Sequence, residues 1–106
     1  MRIIFYYCSK LETLNLASFD TSSVTNMEAM FYKCSKLSSL DISKFDTSKV
    51  ENMRYIFGYC TNLKYINLGE MNTILLTNME CLFYYCESLE SIDLSSFDTS
   101  SVTSMG

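Results

Sequence analysis

Cysteine is the residue type in this chain whose spacing most suggests chemistry. Four of the five cysteines, Cys8, Cys34, Cys60 and Cys86, stand 26 residues apart, and Cys81 lies outside this series. Thiols in such a series could form disulfides, bind a metal or pack as small buried side chains. Parallel neighbours lie within disulfide reach, but their side chains point the same way and an odd number leaves one thiol over. We therefore predict a ladder of reduced cysteines that pack as core residues.

The chain contains no histidine, which excludes the commonest catalytic and metal-binding arrangements. Neither a Ser-His nor a Cys-His pair can form, and the usual zinc ligand set is missing. The three glycines, Gly58, Gly69 and Gly106, are too few for a phosphate-binding loop. We predict that the protein is not an enzyme and that it has no catalytic residues, metal or cofactor.

A second series holds oxygen-bearing side chains at the same interval, in Asp20, Asp46, Asn72 and Asp98. One interpretation is a calcium ladder, because hard cations take carboxylate oxygens. The other is a turn in which each side chain accepts hydrogen bonds from nearby backbone N–H groups. Glycine, which tight calcium-binding turns need, does not follow the acidic position in any copy, and Asn72 interrupts the row of carboxylates. The turn interpretation is therefore favoured.

Both series belong to an internal repeat that spans the whole chain. Four copies, 1–26, 27–52, 53–78 and 79–104, follow one another without insertion or deletion, so we predict a single repeat array over residues 1–106. Terminal repeats normally carry polar capping sequences, and none is recognisable here, so the ends are predicted to be uncapped. The same interval relates Phe5, Phe31, Phe57 and Phe83.

Each copy divides into three segments with different patterns. The first has the form L-x-x-L-x-L, whose last residues alternate as in a short strand, and F-D-T-S follows as a turn. The third segment, from Thr25 to Cys34, has apolar residues at i, i+3, i+4 and i+7, which predicts a short helix. Thr25 with Glu28, and Thr77 with Glu80, match a helix capping box.

Copies of this kind cannot bury their apolar residues alone, so they are expected to stack on one another. The prediction is an α/β leucine-rich-repeat solenoid, with a parallel sheet on one face and short helices on the other. In the column that contains Arg2, Glu28, Arg54 and Glu80 the charge alternates from copy to copy, which predicts ion pairs between neighbours that set their register.

The motif L-D-x-S-x-F-D-T-S-x-V-x-N-M, followed by M-F-x-x-C, resembles the 26-residue leucine-rich repeat of BspA-like surface proteins. The clearest copy runs from Asp41 to Met53, and the copy that contains Gly69 departs most from the motif. Phe19 and its equivalents replace the Asn or Cys that usually forms the ladder in leucine-rich repeats. The resemblance implies a secreted or surface-anchored protein and adhesion as the class of function, with no particular ligand and no catalytic residue.

Composition narrows the range of partners. With 8 basic and 12 acidic residues the formal net charge is -4, which argues against nucleic acid and anionic membranes as primary partners. No apolar stretch reaches the roughly 18 residues needed to span a bilayer. The chain shows no leader or anchor, so an extracellular or cell-surface location is expected from the resemblance alone.

The outward positions of the predicted strands form the candidate binding surface. Concave faces of repeat proteins commonly bind proteins, and Tyr65 is the one large side chain on this small polar face. A merely solvated sheet is the alternative interpretation. The predicted partner-binding residues are Thr13, Asn15, Ser39, Asp41, Tyr65, Asn67, Ser91 and Asp93.

Tyrosines on the opposite side form a competing surface, which we interpret as helix-end packing and ladder stacking. They are Tyr6, Tyr7, Tyr32, Tyr59, Tyr84 and Tyr85.

Taken together, these patterns predict a protein–protein interaction module of an adhesin-like protein, with a host extracellular protein among the candidate partners. The alternative is a structural subunit that associates end to end into filaments, because Leu94, Phe97 and Val102 would lie uncovered at one end.

Overall fold

The computed structural model describes residue 16, residues 19–100, and residues 102 and 103. Strand β1 is Ser39–Asp41 and strand β2 is Tyr65–Asn67, and the two strands pair in parallel. Their register joins Ser39 to Tyr65, which are 26 residues apart. Neighbouring copies therefore lie side by side in register. Isolated parallel bridges with the same offset are Asn26 to Asn52, Asn52 to Asn78, and Tyr65 to Ser91.

The predicted α/β leucine-rich-repeat solenoid, with a sheet on one face and short helices on the other, is wrong. The described part of the chain contains no helix, and its sheet has two strands of three residues each. It follows that none of these residues belongs to a helix long and apolar enough to cross a membrane. Most of the segment predicted to be helical, residues 25–34, forms consecutive turns.

Backbone hydrogen bonds between copies explain why this segment is not helical. The N–H groups of Ala29 and Phe31 donate to the carbonyl oxygens of Arg54 and Ile56 in the next copy, at 2.9 Å each. Between them, the N–H of Met30 donates three residues back, to the carbonyl oxygen of Met27, at 3.2 Å. A helix would require each N–H to bond a carbonyl four residues back in the same segment. Pairing between copies takes the place of these bonds.

The turns hold several non-glycine residues in the left-handed region of backbone conformation. Ala29 and Lys33 have φ values of 55° and 60°, and each is the third residue of a turn closed by the N–H of Met30 or Cys34. Glycine is favoured at such a position, and another residue loses about 1 kcal/mol or more there. Positive φ values recur in the later copies at Tyr55, Tyr59, Cys81 and Tyr85.

The capping boxes predicted for the helices are wrong as well. The side-chain oxygen of Asn26 accepts the N–H of Glu28 at 2.8 Å, and that of Asn78 accepts the N–H of Glu80 at 3.0 Å. Asn therefore closes a local turn one residue after the Thr that was expected to cap a helix. The hydroxyl of Thr77 instead donates to the carbonyl oxygen of Glu51 in the preceding copy.

The apolar spacing of this segment is satisfied by the turns as well as it would be by a helix. Met27, Met30, Phe31 and Cys34 are all fully buried. The ring of Phe31 stacks on that of Phe57 with centroids 5.9 Å apart, and Phe57 stacks on the ring of the next copy at 5.6 Å, both nearly parallel. The inward-facing residues were thus predicted correctly although the helix was not.

A ladder of buried threonines, which sequence analysis did not single out, joins the turns that follow the strands. The hydroxyl of Thr47 donates to the carbonyl oxygen of Asn72 and accepts the N–H of the same residue, both at 3.0 Å. The hydroxyl of Thr21 donates to the carbonyl oxygen of Asp46 and accepts its N–H, and Thr73 makes the same two hydrogen bonds with Asp98. One hydroxyl thus satisfies both backbone groups of its neighbour.

Candidate functional site

The polar strand face predicted from the sequence is exposed in the structure. On each strand two exposed side chains flank a buried one, so the predicted alternation is confirmed. Thr13 and Asn15, the predicted members in the first copy, lie outside the described residues. The structure brings together six of the predicted residues, which we call the strand face: Ser39, Asp41, Tyr65, Asn67, Ser91 and Asp93.

A shallow groove crosses the strand face between the third and fourth copies. Its volume is about 380 Å³, and it contains four of the predicted site residues, Tyr65, Asn67, Ser91 and Asp93. Ile66, whose side chain is buried, and the equivalent isoleucine of the next copy also line the groove. Such a groove can accept one or two side chains of a partner between the polar groups of the two copies.

Tyr65 is half-exposed, at 53%, but its hydroxyl is held in place. This hydroxyl donates to a carboxylate oxygen of Glu90 in the next copy at 2.6 Å. The hydrogen bond to the negatively charged carboxylate raises the pKa of Tyr65, so the phenol stays protonated at neutral pH. The ring faces outward, as the sequence predicts. The hydrogen bond to Glu90 was not predicted, because it joins residues 25 apart.

The two aspartates of the strand face are fixed by local turns. A carboxylate oxygen of Asp41 accepts the hydroxyl of Ser43 at 2.6 Å and its N–H at 2.9 Å. Asp93 accepts the N–H of Ser95 in the same way at 2.9 Å. The serine hydroxyl and N–H groups lower the pKa of both aspartates, which are therefore charged at neutral pH and unsuited to be general acids.

The series of aspartates considered for calcium also forms turns, as predicted. A carboxylate oxygen of Asp20 accepts the N–H and the hydroxyl of Ser22, and Asp46 binds Ser48 in the same way. These hydrogen bonds lower the pKa of the aspartates. Asn72 closes the equivalent turn by accepting the N–H of a residue two positions on. Among the residues described, no cluster of acidic and thiol side chains has a metal-binding arrangement.

The described cysteines are buried, in Cys34 and Cys60, or partly buried, in Cys81 and Cys86. Cys34, Cys60, Cys81 and Cys86 are not in disulfides, which confirms the prediction for these four, and Cys8 lies outside the described residues. The thiol of Cys60 donates to the carbonyl oxygen of Phe31 at 3.1 Å in the preceding copy, and Cys86 makes the equivalent bond at 3.0 Å. Burial raises the pKa of Cys60, and that of Cys86 to about 11, so both thiols stay protonated at neutral pH.

The tyrosines on the other side form a stacked ladder, as predicted, although no helix lies beneath them. The ring of Tyr59 meets Tyr32 and Tyr84 edge-on, both at 5.4 Å, and lies parallel to Tyr85 at 5.0 Å. The ammonium group of Lys33 lies over two of these rings. Tyr84 and Tyr85 remain 40% and 52% exposed, and Tyr6 and Tyr7 lie outside the described residues. We call this the tyrosine ladder.

The column of alternating charges forms ion pairs between copies, which confirms that prediction for three of its members. The guanidinium group of Arg54 lies 3.0 Å from a carboxylate oxygen of Glu80 and 4.0 Å from one of Glu28. Arg2 lies outside the described residues. Because all three side chains are partly exposed, the ion pairs contribute little to the free energy of unfolding. Their main effect is to align neighbouring copies in register.

Comparison with known proteins gives one match. Residues 1–106, the whole chain, match the family described as "Mycoplasma protein of unknown function, DUF285". No match was found among curated proteins or among solved structures. Because the match extends over the full length, the chain belongs to the DUF285 family.

Proposed function

We propose that the protein is a non-enzymatic protein–protein interaction module of a cell-surface or secreted adhesin-like protein. The observation that carries this proposal is the groove on the strand face, where Tyr65 stands half-exposed with its hydroxyl fixed by Glu90. A rigid aromatic side chain at the edge of an apolar groove is typical of the residues that dominate binding energy. The location follows from the resemblance of the repeat to BspA-like surface proteins.

Several features of the strand face support binding rather than catalysis. Its aspartates are held by serines two residues on, and the thiols of Cys34 and Cys60 are buried away from it. Apart from Tyr65, the exposed side chains that flank the buried residue of each strand are small and polar, so a partner segment can approach the backbone closely. The face is also continuous across three copies, because the strand register and the bridge from Tyr65 to Ser91 align them.

Peptide selection tests the proposal and does not require that the partner be identified first. A random peptide library displayed on phage would be panned against the full chain, and enriched peptides measured by calorimetry against the wild type and variants. We expect Tyr65→Ala to weaken the selected peptides by ~1–3 kcal/mol. The matched control is Tyr84→Ala with Tyr85→Ala, which removes two rings of similar exposure from the tyrosine ladder. Peptides that depend on the control pair and ignore Tyr65 would refute the strand face as the binding site.

A second candidate function is end-to-end association of the chain. It is favoured by the fourth copy, where Phe83, Leu89 and Phe97 are partly exposed, whereas Phe57 and Leu63 in the third copy are buried. The backbone N–H groups of Phe57 and Tyr59 donate hydrogen bonds to carbonyl oxygens of the next copy. Within the described residues, the equivalent N–H groups of Phe83 and Tyr85 donate no backbone hydrogen bond. A second copy of the chain could cover both the apolar row and these donors.

Sedimentation velocity over a range of concentrations tests this second candidate. We expect association that increases with concentration and is lost when Leu94 and Phe97 are both changed to Glu. Changing Lys44 and Lys49 to Glu, away from this face, is the control for added negative charge. A stable 12.2 kDa monomer at high micromolar concentration would refute end-to-end association.

A further inference from the structure

A cleft beside the strand face is lined, among the described residues, by side chains that can donate hydrogen bonds. It has a volume of about 480 Å³ and lies between the second and third copies, lined by Lys36, Ser38, Asn62 and Lys64. All four side chains are exposed. Two ammonium groups, one amide and one hydroxyl suit an anion, and none of the described residues that line the cleft carries a carboxylate.

The charges of Lys36 and Lys64 are not used within the described structure, unlike those of the other basic residues there. Arg54 pairs with two glutamates, and Lys33 lies over two tyrosine rings. Lys44 and Lys49 attract the aspartates nearest to them, and help to lower the pKa of those carboxyl groups. Lys36 and Lys64 form no ion pair in the described part of the chain, and both lie in one cleft.

The backbone beneath the cleft is fixed by pairing between copies. The N–H of Lys64 donates to the carbonyl oxygen of Ser38 at 2.9 Å, and the next residues, Ser39 and Tyr65, pair as strands β1 and β2. Lys64 therefore directly precedes Tyr65, the first residue of strand β2. A partner segment that contacts the Tyr65 groove would place its neighbouring residue close to Lys64.

We propose that this cleft binds an acidic side chain of an extended segment in a partner protein, next to the residue that packs against Tyr65. This inference rests on the proposed function and adds the charge of the partner. The formal net charge of -4 repels anions overall, so attraction at this point must be local. A peptide is favoured over an acidic sugar because the strand face offers a single aromatic ring for stacking.

Binding of a labelled acidic peptide tests the inference. The probe is fluorescein-labelled octaglutamate, titrated with the full chain and followed by fluorescence anisotropy at low and at high salt. We expect binding at low salt that Lys36→Glu with Lys64→Glu weakens by about tenfold or more, and that Lys36→Arg with Lys64→Arg preserves. The matched control, Lys44→Glu with Lys49→Glu, changes the net charge equally and should weaken binding less than about threefold.

Equal losses in the two charge-reversal variants would overturn the inference, because the effect would then come from overall charge. So would binding of sialyllactose at this cleft with none of octaglutamate. Melting temperatures close to the wild-type value are expected for all variants, since the four lysines are exposed. If octaglutamate fails while the phage-selected peptides still depend on Tyr65, the acidic preference alone is refuted. If octaglutamate binding follows the lysines but no peptide depends on Tyr65, the proposed function alone is refuted.

Discussion

The turn segments and the strand face share one register and differ in almost everything else. In the turn segments, residues 27–34 and their equivalents, alternate N–H groups bond the next copy and the side chains of Phe31 and Phe57 stack in the core. On the strand face, pairing extends over three residues, and apart from Tyr65 the side chains that point outward are small and polar. The comparison indicates that the turn segments supply most of the stability, which leaves the residues of the strand face free to vary with the partner.

The largest effect is expected from removing one ring of the stacked core. Phe57→Ala should lower the free energy of unfolding by about 3–5 kcal/mol, because Phe57 is buried and stacks on both neighbours. Tyr65→Ala removes a ring of similar size from the strand face and should cost less than about 1 kcal/mol. Urea unfolding followed by circular dichroism measures both. Similar losses from the two variants would contradict the division of roles between the two regions.

A smaller loss is expected at the threonine ladder. Thr47→Val keeps the shape of the side chain but leaves the N–H and carbonyl groups of Asn72 without their partner, which should cost about 1–3 kcal/mol. Thr47→Ser keeps the hydroxyl and should retain most of the stability. Ser48→Ala, at the next and more exposed position, is the control for loss of a hydroxyl. The ladder would have no stabilising role if Val and Ser at position 47 gave the same urea midpoint.

The aspartate turns should make stability depend on acid. Hydrogen bonds from serine lower the pKa of Asp20, Asp46 and Asp98 below the ordinary value of 3.8. Because the folded-state pKa is lowered, this stabilisation is complete above the unfolded-state pKa and is lost as pH falls through the folded-state pKa. We expect the melting temperature to fall below about pH 4.

Replacing all three aspartates by Asn should make this fall smaller, since Asn72 closes the same kind of turn with an amide that does not titrate. Scanning calorimetry between neutral pH and about pH 2 compares the variant with the wild type. An unchanged acid transition in the triple variant would show that other carboxyl groups control it.

The smallest effect is expected from reductant. Titration of thiols in denaturant without reductant should find five, and adding reductant should leave the melting temperature unchanged. In the native protein Cys34 and Cys60 should react more slowly than Cys81, which is only partly buried. The detection of two disulfides and a single thiol would contradict the structural interpretation of the series.

Local sequence was sufficient to predict the features that depend on neighbouring residues. Asp46 and Ser48 form their turn within three residues, and the alternation around Leu40 and Ile66 marks the inward side of each strand. The helix prediction failed because the same apolar spacing fits a run of turns, and the deciding bonds, such as that from Phe31 to Ile56, join residues 25 apart.

Features that depend on pairs of copies were the ones that sequence reasoning missed. The hydrogen bond from Tyr65 to Glu90 and the two hydrogen bonds between Thr47 and Asn72 each join residues 25 apart. The cleft between Lys36 and Lys64 combines different columns of neighbouring copies. Aligning the copies and asking which polar residues become neighbours at an offset of one copy could have revealed all three.

The constant offset between bonded residues also bears on how such a gene can change in length. Because backbone pairs join residues 25 or 26 apart, removing one whole copy between equivalent positions leaves every remaining pairing intact, whereas losing a single codon shifts all the residues beyond it. The register of the backbone thus permits changes in length by whole copies and penalises most others.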